Sequence, residues 1–217
     1  MIEKRILTSR EEWLEARSGR IGGSDASALV GLNPYKSNVD LWREKTGRIT
    51  MPDISGKDVV RYGHDAEPHL RALFALDFPE YEVFYEDNNI WFNDRFPFAH
   101  ASLDGWLRDK DGRAGILEIK TTEIMQSMQK EKWADRVPDN YYCQCLWYMA
   151  VLEADFCILK AQLKYRFRDG QTLLHTRHYH IEREDVEADI DMLLKAAERF
   201  YGFMRAGKEP PLILPEI

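Results

Sequence analysis

Asp104 and the tripeptide Glu118-Ile119-Lys120 are the residues of this sequence whose types and spacing best suit chemistry. Side chains two apart in a strand share a face, so Glu118 and Lys120 point the same way and Ile119 points into a core. The turn signal Asp111-Gly112 lies between the two segments and folds Asp104 back towards Glu118. Two converging carboxylates suit a hard cation such as Mg2+, and the Ile119 carbonyl is near enough in sequence to add a third oxygen. A lysine two residues on can hold or help deprotonate an attacking water, or offset charge on a scissile phosphate. This is the chemistry of metal-assisted phosphodiester hydrolysis. The competing reading makes Asp104 a turn residue before Gly105 and Glu118 with Lys120 an exposed ion pair. Against it stand the apolar flanks Gly115-Ile116-Leu117 and Ile119, which put Glu118 inside a buried strand, and Glu67, which a long helix could present to the same cleft.

The elements that must position these groups follow from pattern. Ser9-Arg10-Glu11-Glu12 has capping-box form and starts a helix running through Arg17. Ser24, after Gly22-Gly23, is expected to cap a short helix from Ala26 to Val30, and a third spans about Ser37 to Thr46. Apolar residues at three to four residue intervals predict a long helix from Asp58 to Leu76. Strands are expected over Tyr81 to Phe92, Ala99 to Leu107 and Gly115 to Thr121, forming a β-meander. Helices then run from about Glu123 to Trp133 and Pro138 to Leu152, with two strands at Phe156 to Phe167 and Leu173 to Ile181. Asp169-Gly170 joins those strands, and a charged helix from Glu184 to Met204 closes the pattern. The fold class is α/β or α+β, a central mixed sheet flanked by helices. With no internal repeat and no Gly, Ser or Pro-rich linker, residues 1–217 read as one domain, a helical region of about 1–50 packing on the rest.

At 44% hydrophobic and 12% aromatic residues the chain has material for a core, which excludes disorder as its main state. Its longest apolar run, Cys145 to Leu152, is far below the ~18 residues of a membrane span, and no apolar secretory segment follows Met1, so a cytoplasmic protein is expected. Three cysteines, Cys143, Cys145 and Cys157, suit reduced buried thiols. Thirty basic against 37 acidic residues give a net charge of −7, opposite to a protein that coats nucleic acid, so any such contact must be local to one cleft.

Arg17, Gly22-Gly23-Ser24, Gly63-x-x-x-Glu67, Ser102-Leu103-Asp104-Gly105, Glu118-Ile119-Lys120 and Gln144 in Tyr141-Tyr142-Cys143-Gln144 together resemble the YqaJ and lambda-exonuclease family of viral recombinases, which are PD-(D/E)XK nucleases. The resemblance runs from about Arg17 to Met149. It implies that Asp104, Glu118 and the Ile119 carbonyl are ligands of two Mg2+ ions, with Mn2+ as a substitute. It further implies that Lys120 assists the water, that Glu67 serves the second metal and that Gln144 closes the site. Arg17, Ser24 and Ser102 correspond to a pocket for the 5′-phosphate of the digested strand, which agrees with a Gly-Gly-Ser helix start. The proline of the family's motif is Leu103 here; proline offers no ligand, so what changes is local strand geometry. The implied activity is 5′ to 3′ digestion of one strand of linear double-stranded DNA, leaving a 3′ overhang for recombination. A ring-shaped homotrimer and a single-strand annealing protein as partner are implied with it, in a phage, prophage or bacterial setting. An endonuclease or 3′ to 5′ nuclease on the same core, and a non-catalytic DNA-binding recombination protein, are the alternatives.

Three features stand apart. His175, His178 and His180 suit an exposed edge strand better than a metal site. His64 precedes Glu67 by three residues and shares its direction. Five of the six tryptophans are expected to be structural.

Overall fold

Val, Ile and Leu crowd two long segments that become neighbouring central strands, β5 (Ala114–Ile124) and β6 (Phe156–Arg166). In the computed structural model the described residues are 1–50, 52, 54, 56–125, 127–167 and 170–214, with the backbone alone for 127–129. The chain runs β1 (Ile2–Ile6), α1 (Arg10–Arg17), α2 (Gly23–Ala26), a 3-10 turn (Ser27–Val30), α3 (Asn38–Lys45) and α4 (Asp58–Asp77). Then come β2 (Glu82–Phe84), β3 (Asn89–Asn93), β4 (Gly105–Arg108), β5, α5 (Ser127–Lys132), α6 (Asp139–Leu152), β6, β7 (Thr172–Glu182) and α7 (Arg183–Ala206). The main sheet has the order β2-β4-β5-β6-β7 and is antiparallel except for β5 with β6. That parallel pair needs a crossover, and α6 supplies it. The expected mixed α/β architecture is therefore the one observed.

Strand alternation sorts the core into two layers. Leu117 and Ile119 of β5 and Ile158 of β6 pack under α4 through Leu70 and Phe74. Ile116, Cys157, Leu159 and Ala161 face the opposite way, against α6 and α7. Full burial of a side chain such as Phe74 contributes about 1.5–3 kcal/mol. Glu118 and Lys120 share the parity of Ile116, so the pleat turns them towards α6.

Several elements differ from expectation. The segment 81–92 is two short strands, and β3 leaves the main sheet to pair with β1, a strand the sequence reading did not include. Most of 99–104 is irregular, held by the bridges Ile21↔Ala99 and Trp91↔Ala101, and the strand starts only at Gly105. Ser24 does not cap a helix: Gly22 occupies that position and Ser24 is exposed in the first turn. Continued pairing with β6 carries β5 through Ile124, which displaces the expected helix start at Glu123. Pro138 precedes α6 rather than sitting in its first turn. Asp169 lies outside the described residues. The three cysteines are free and buried, and among the described residues no helix is long and apolar enough to cross a membrane.

Candidate active site

The hairpin of β4 and β5 builds the centre. Its pairing ends at Gly105↔Leu117, so β5 continues from Glu118 without a neighbour on that side. Asp104, the residue before β4, turns into this gap and accepts the Ile119 N–H on Oδ2 at 2.8 Å. A strand residue directs its N–H and C=O to the same side, so the Ile119 carbonyl faces the same gap. Glu118 is 1% exposed, and its Oε2 has no hydrogen-bond partner among the described residues. The Lys120 ammonium meets Glu118 Oε1 as an ion pair and lies 5.4 Å from the centre of the Tyr141 ring.

Burial pushes the Glu118 carboxyl up to about 8, helped by the charge of Asp104 and opposed by Lys120. Asp104 is raised too, by burial, against the pull of Lys120 and the Ile119 N–H. Burial alone would lower Lys120, but the charges of Glu118 and Asp104 outweigh it and raise the ammonium. Buried Glu118 and partly buried Asp104 thus both draw on the charge of Lys120, which pairs directly with Glu118.

Glu67 and His64 come from α4. Glu67 pairs with Arg71 at 2.9 Å, and the same guanidinium donates to the Asp104 backbone carbonyl and lies 3.4 Å over the Tyr85 ring. Burial raises the Glu67 carboxyl, Asp104 adds to the rise, and Arg71 opposes it. His64 is exposed beside Asp65. From α6, Gln144 donates from Nε2 to the Tyr148 hydroxyl at 2.8 Å. A Cβ on Gly23 would lie 2.4 Å from the Tyr148 ring, so glycine lets α2 press directly on α6 beside the cleft.

The other end of the cleft is basic. Arg17 donates from Nε to His100 Nε2 at 3.1 Å and lies 3.9 Å over the Trp13 ring. Trp13 donates from Nε1 to Ser102 Oγ at 3.1 Å. Nearby Asp25 is already committed: it accepts from the Gly22 N–H at 3.0 Å and pairs with Lys36 at 2.8 Å and Lys45 at 2.7 Å. Burial would raise that carboxyl, yet the two lysines hold it well below the usual carboxylate range.

A cleft of about 650 Å³ gathers these parts, with Arg17, Ser24, Glu67, Ser102, Asp104 and Gln144 on its walls. Residues expected from distant segments are thereby brought together, while Glu118, Ile119 and Lys120 form the β5 segment behind Asp104. Glu67 reaches the cleft, but its carboxylate is occupied by Arg71. Among the described residues no three His, Cys, Asp or Glu side chains gather as a metal cluster, the three histidines of β7 included. The donor set that fits a cation is Asp104, Glu118 and the Ile119 carbonyl, all oxygen, with the buried and unpartnered Glu118 Oε2 as the strongest mark of fit. Tyr148, Trp13, Arg71 and His100 line or brace the cleft and were not singled out for the site from sequence. Gln144 with Tyr148 and Trp13 with Arg17 are i,i+4 pairs that helical periodicity could have flagged; His100 has no local signal.

Fold and site together define an α/β protein with a carboxylate pair and a lysine at the opened edge of a mixed sheet, facing a basic pocket across one cleft. Residues 12–155 match the YqaJ-like viral recombinase domain, and the chain belongs to that family. It is 28% identical over 219 residues to the uncharacterized protein YqaJ of Bacillus subtilis (strain 168), covering 98% of this chain and 62% of that protein. The chain thus spans less than two thirds of the curated relative it matches. Its fold is similar to the crystal structure of an alkaline exonuclease (LHK-Exo) from Laribacter hongkongensis, with a TM-score of 0.68 and 21% identity over 91% of this chain and 93% of that one. The same exonuclease in complex with dAMP matches at a TM-score of 0.61 and 18% identity, over 90% and 95% of the two chains.

Proposed function

We propose that the chain is a divalent-metal-dependent exodeoxyribonuclease that digests one strand of linear double-stranded DNA from 5′ to 3′, leaving a 3′ overhang for recombination. The observation that carries this reading is the carboxylate pair Asp104 and Glu118: Glu118 is buried against Lys120 directly behind Asp104, and Asp104 lines one cleft with Arg17, Ser24 and Ser102. Asp104, Glu118 and the Ile119 carbonyl would hold Mg2+, or Mn2+ in its place, with Glu67 available for a second ion once released from Arg71. Bound there, the ion would polarise the scissile phosphate and lower the pKa of a water.

The chain's own groups do the rest. Lys120 holds the attacking water and offsets charge that builds on the phosphate. Gln144, anchored on the Tyr148 hydroxyl, closes the cleft over the reacting strand. Arg17, Ser24 and Ser102 take the terminal 5′-phosphate and so place the first internucleotide linkage at the carboxylates. Water oxygen bonds to phosphorus, the P–O3′ bond breaks, and the proton passes to the leaving 3′-oxygen. Each cycle releases a nucleoside 5′-monophosphate, the chemical class of the dAMP held by the Laribacter exonuclease, and leaves a new 5′-phosphate for the same pocket. A homotrimeric ring and a single-strand annealing partner belong to this reading.

The test is digestion of linear duplex with one 5′-phosphorylated and one 5′-hydroxyl end, in Mg2+ or EDTA, by wild type and Lys120→Ala. Loss of the 5′-phosphorylated strand in Mg2+, abolished by the substitution, is expected. Internal cuts or 3′-end shortening would replace the proposal by the endonuclease or 3′ to 5′ reading, and no cleavage with any divalent ion would leave a DNA-binding recombination protein.

A further inference from the structure

We propose that His100 is a positioning residue for phosphate recognition: its neutral imidazole accepts the Arg17 Nε–H and turns the remaining guanidinium donors, with their full charge, to the cleft. The inference rests on the reading of Arg17, Ser24 and Ser102 as a terminal-phosphate pocket and adds what gives that pocket its orientation and its charge.

Backbone bonds fix the residue and close packing confines its ring. His100 is 1% exposed, its backbone N–H donates to the Ile21 carbonyl at 3.0 Å, and its carbonyl accepts from Trp147 Nε1 at 2.9 Å. A Cβ on Gly22 would lie 2.7 Å from both Cε1 and Nε2, so glycine at 22 is what lets the imidazole lie against the backbone there. Nε2 is then held 3.1 Å from Arg17 Nε. With Nε2 as acceptor, the ring proton resides on Nδ1, which is buried and has no hydrogen-bond partner among the described residues.

Arg17 is constrained on two sides as a result. Trp13 covers one face and His100 takes Nε, which leaves the terminal nitrogens as its free donors. Among the described residues no carboxylate pairs with Arg17, and Asp25 is held by Lys36, Lys45 and the Gly22 N–H. A carboxylate at position 100 would orient the guanidinium equally well but cancel its charge. A neutral imidazole orients it and leaves the charge for a dianionic phosphate monoester. Burial keeps the ring neutral, reinforced by the cations Arg17, Lys45 and Arg20 against Asp25, with the imidazole pushed down to about 3.

The experiment compares 5′-phosphorylated with 5′-hydroxyl duplex ends, by KM and kcat in Mg2+ and by fluorescence anisotropy in EDTA, for wild type, Arg17→Ala, His100→Gln and His100→Asn. Gln places its amide oxygen near the Nε2 position, whereas Asn reaches only the Nδ1 position. His100→Gln is expected to keep most of the preference for the phosphorylated end. His100→Asn is expected to lose about tenfold of it, in KM and in binding rather than in kcat, the loss typical of one hydrogen bond to a charged group. If Arg17→Ala removes the preference but both His100 variants keep it, the positioning role is overturned while the pocket stands. If Arg17→Ala leaves the preference intact, the pocket reading itself falls. Nitrogen-15 NMR of histidine-labelled wild type gives a reading free of folding defects: a neutral ring protonated on Nδ1 at pH 7 is expected, and a charged ring or the opposite tautomer would overturn the proposal.

Discussion

Glu118 is a buried carboxylate paired with Lys120, and that burial makes specific demands. An ordinary glutamate titrates near 4.5, whereas buried Glu118 does so at about 8. Between those values the folded protein keeps a proton that the unfolded chain has lost, so this group's contribution to stability is present below about pH 4.5 and drains away as pH rises to 8. Glu118→Gln is expected to flatten that decline in metal-free protein, measured by urea unfolding across pH 5 to 8. Cation binding needs the carboxylate ionised and releases the proton. Mg2+ at about 100 times its Kd is therefore expected to raise the unfolding free energy by about 2.7 kcal/mol, and Glu118→Ala to abolish the rise, read by calorimetry. His100 has the opposite sign. Its pKa falls from 6.5 to about 3, so the unfolded chain takes up a proton that the native state refuses, and stability drops as pH is lowered through that window. His100→Gln removes this effect. Relative to wild type the variant is expected to gain about 2 kcal/mol on going from pH 7 to pH 5, and parallel pH profiles of the two proteins would contradict it.

Two glycines set how closely the elements around the site approach. Gly115 of β5 faces the Phe156 ring, where a Cβ would come within 2.2 Å, and Gly23 faces Tyr148. Gly115→Ala is expected to destabilise by about 1–3 kcal/mol, the usual range for overpacking, and to act on both ends of DNA alike. Gly23→Ala is expected to cost a similar amount and also to slow digestion, because Tyr148 holds Gln144; urea unfolding and initial rates separate the two outcomes. Much at this level was legible in the sequence. The Asp111-Gly112 hairpin, α4, α6 and the β6–β7 pair all follow from turn chemistry and periodicity. The partner of β3 was not legible, because local alternation marks a strand and says nothing of the sheet it joins. The loss of regular structure over 99–104 likewise reflects tertiary bonds, from Ile21 to Phe98 and His100, that replace a ladder.

A net charge of −7 on a chain proposed to handle DNA sets the expectation for the assembly. If a ring encircles its substrate, processivity comes from topology more than from counterion release, and it should change less than about twofold between 50 and 200 mM salt. A fall of several orders of magnitude would point to an open, charge-held complex. Light scattering in the same buffer should return three times the chain mass. The edge strand β7 accounts for the histidine pattern without a metal: His178 packs on the Phe78 ring at 4.8 Å and His180 on the Phe156 ring at 5.3 Å, while His175 has the opposite strand parity.

Residue types and spacing alone were enough to bring a carboxylate pair and a lysine together across a hairpin, because strand parity and an Asp-Gly turn signal are local rules. They also sufficed to suggest an anion pocket from Arg17, Ser24 and Ser102 through family resemblance. Tertiary structure alone decided that β4 stops one residue short of Glu118 and that Glu67 is held by Arg71. It also decided that Asp25 serves Lys36 and Lys45, and that His100 braces Arg17 across 83 residues of chain. The reason is physical: a pleat repeats every two residues, whereas burial, unpaired oxygens and the partner chosen by a charge depend on which distant segments are packed against it.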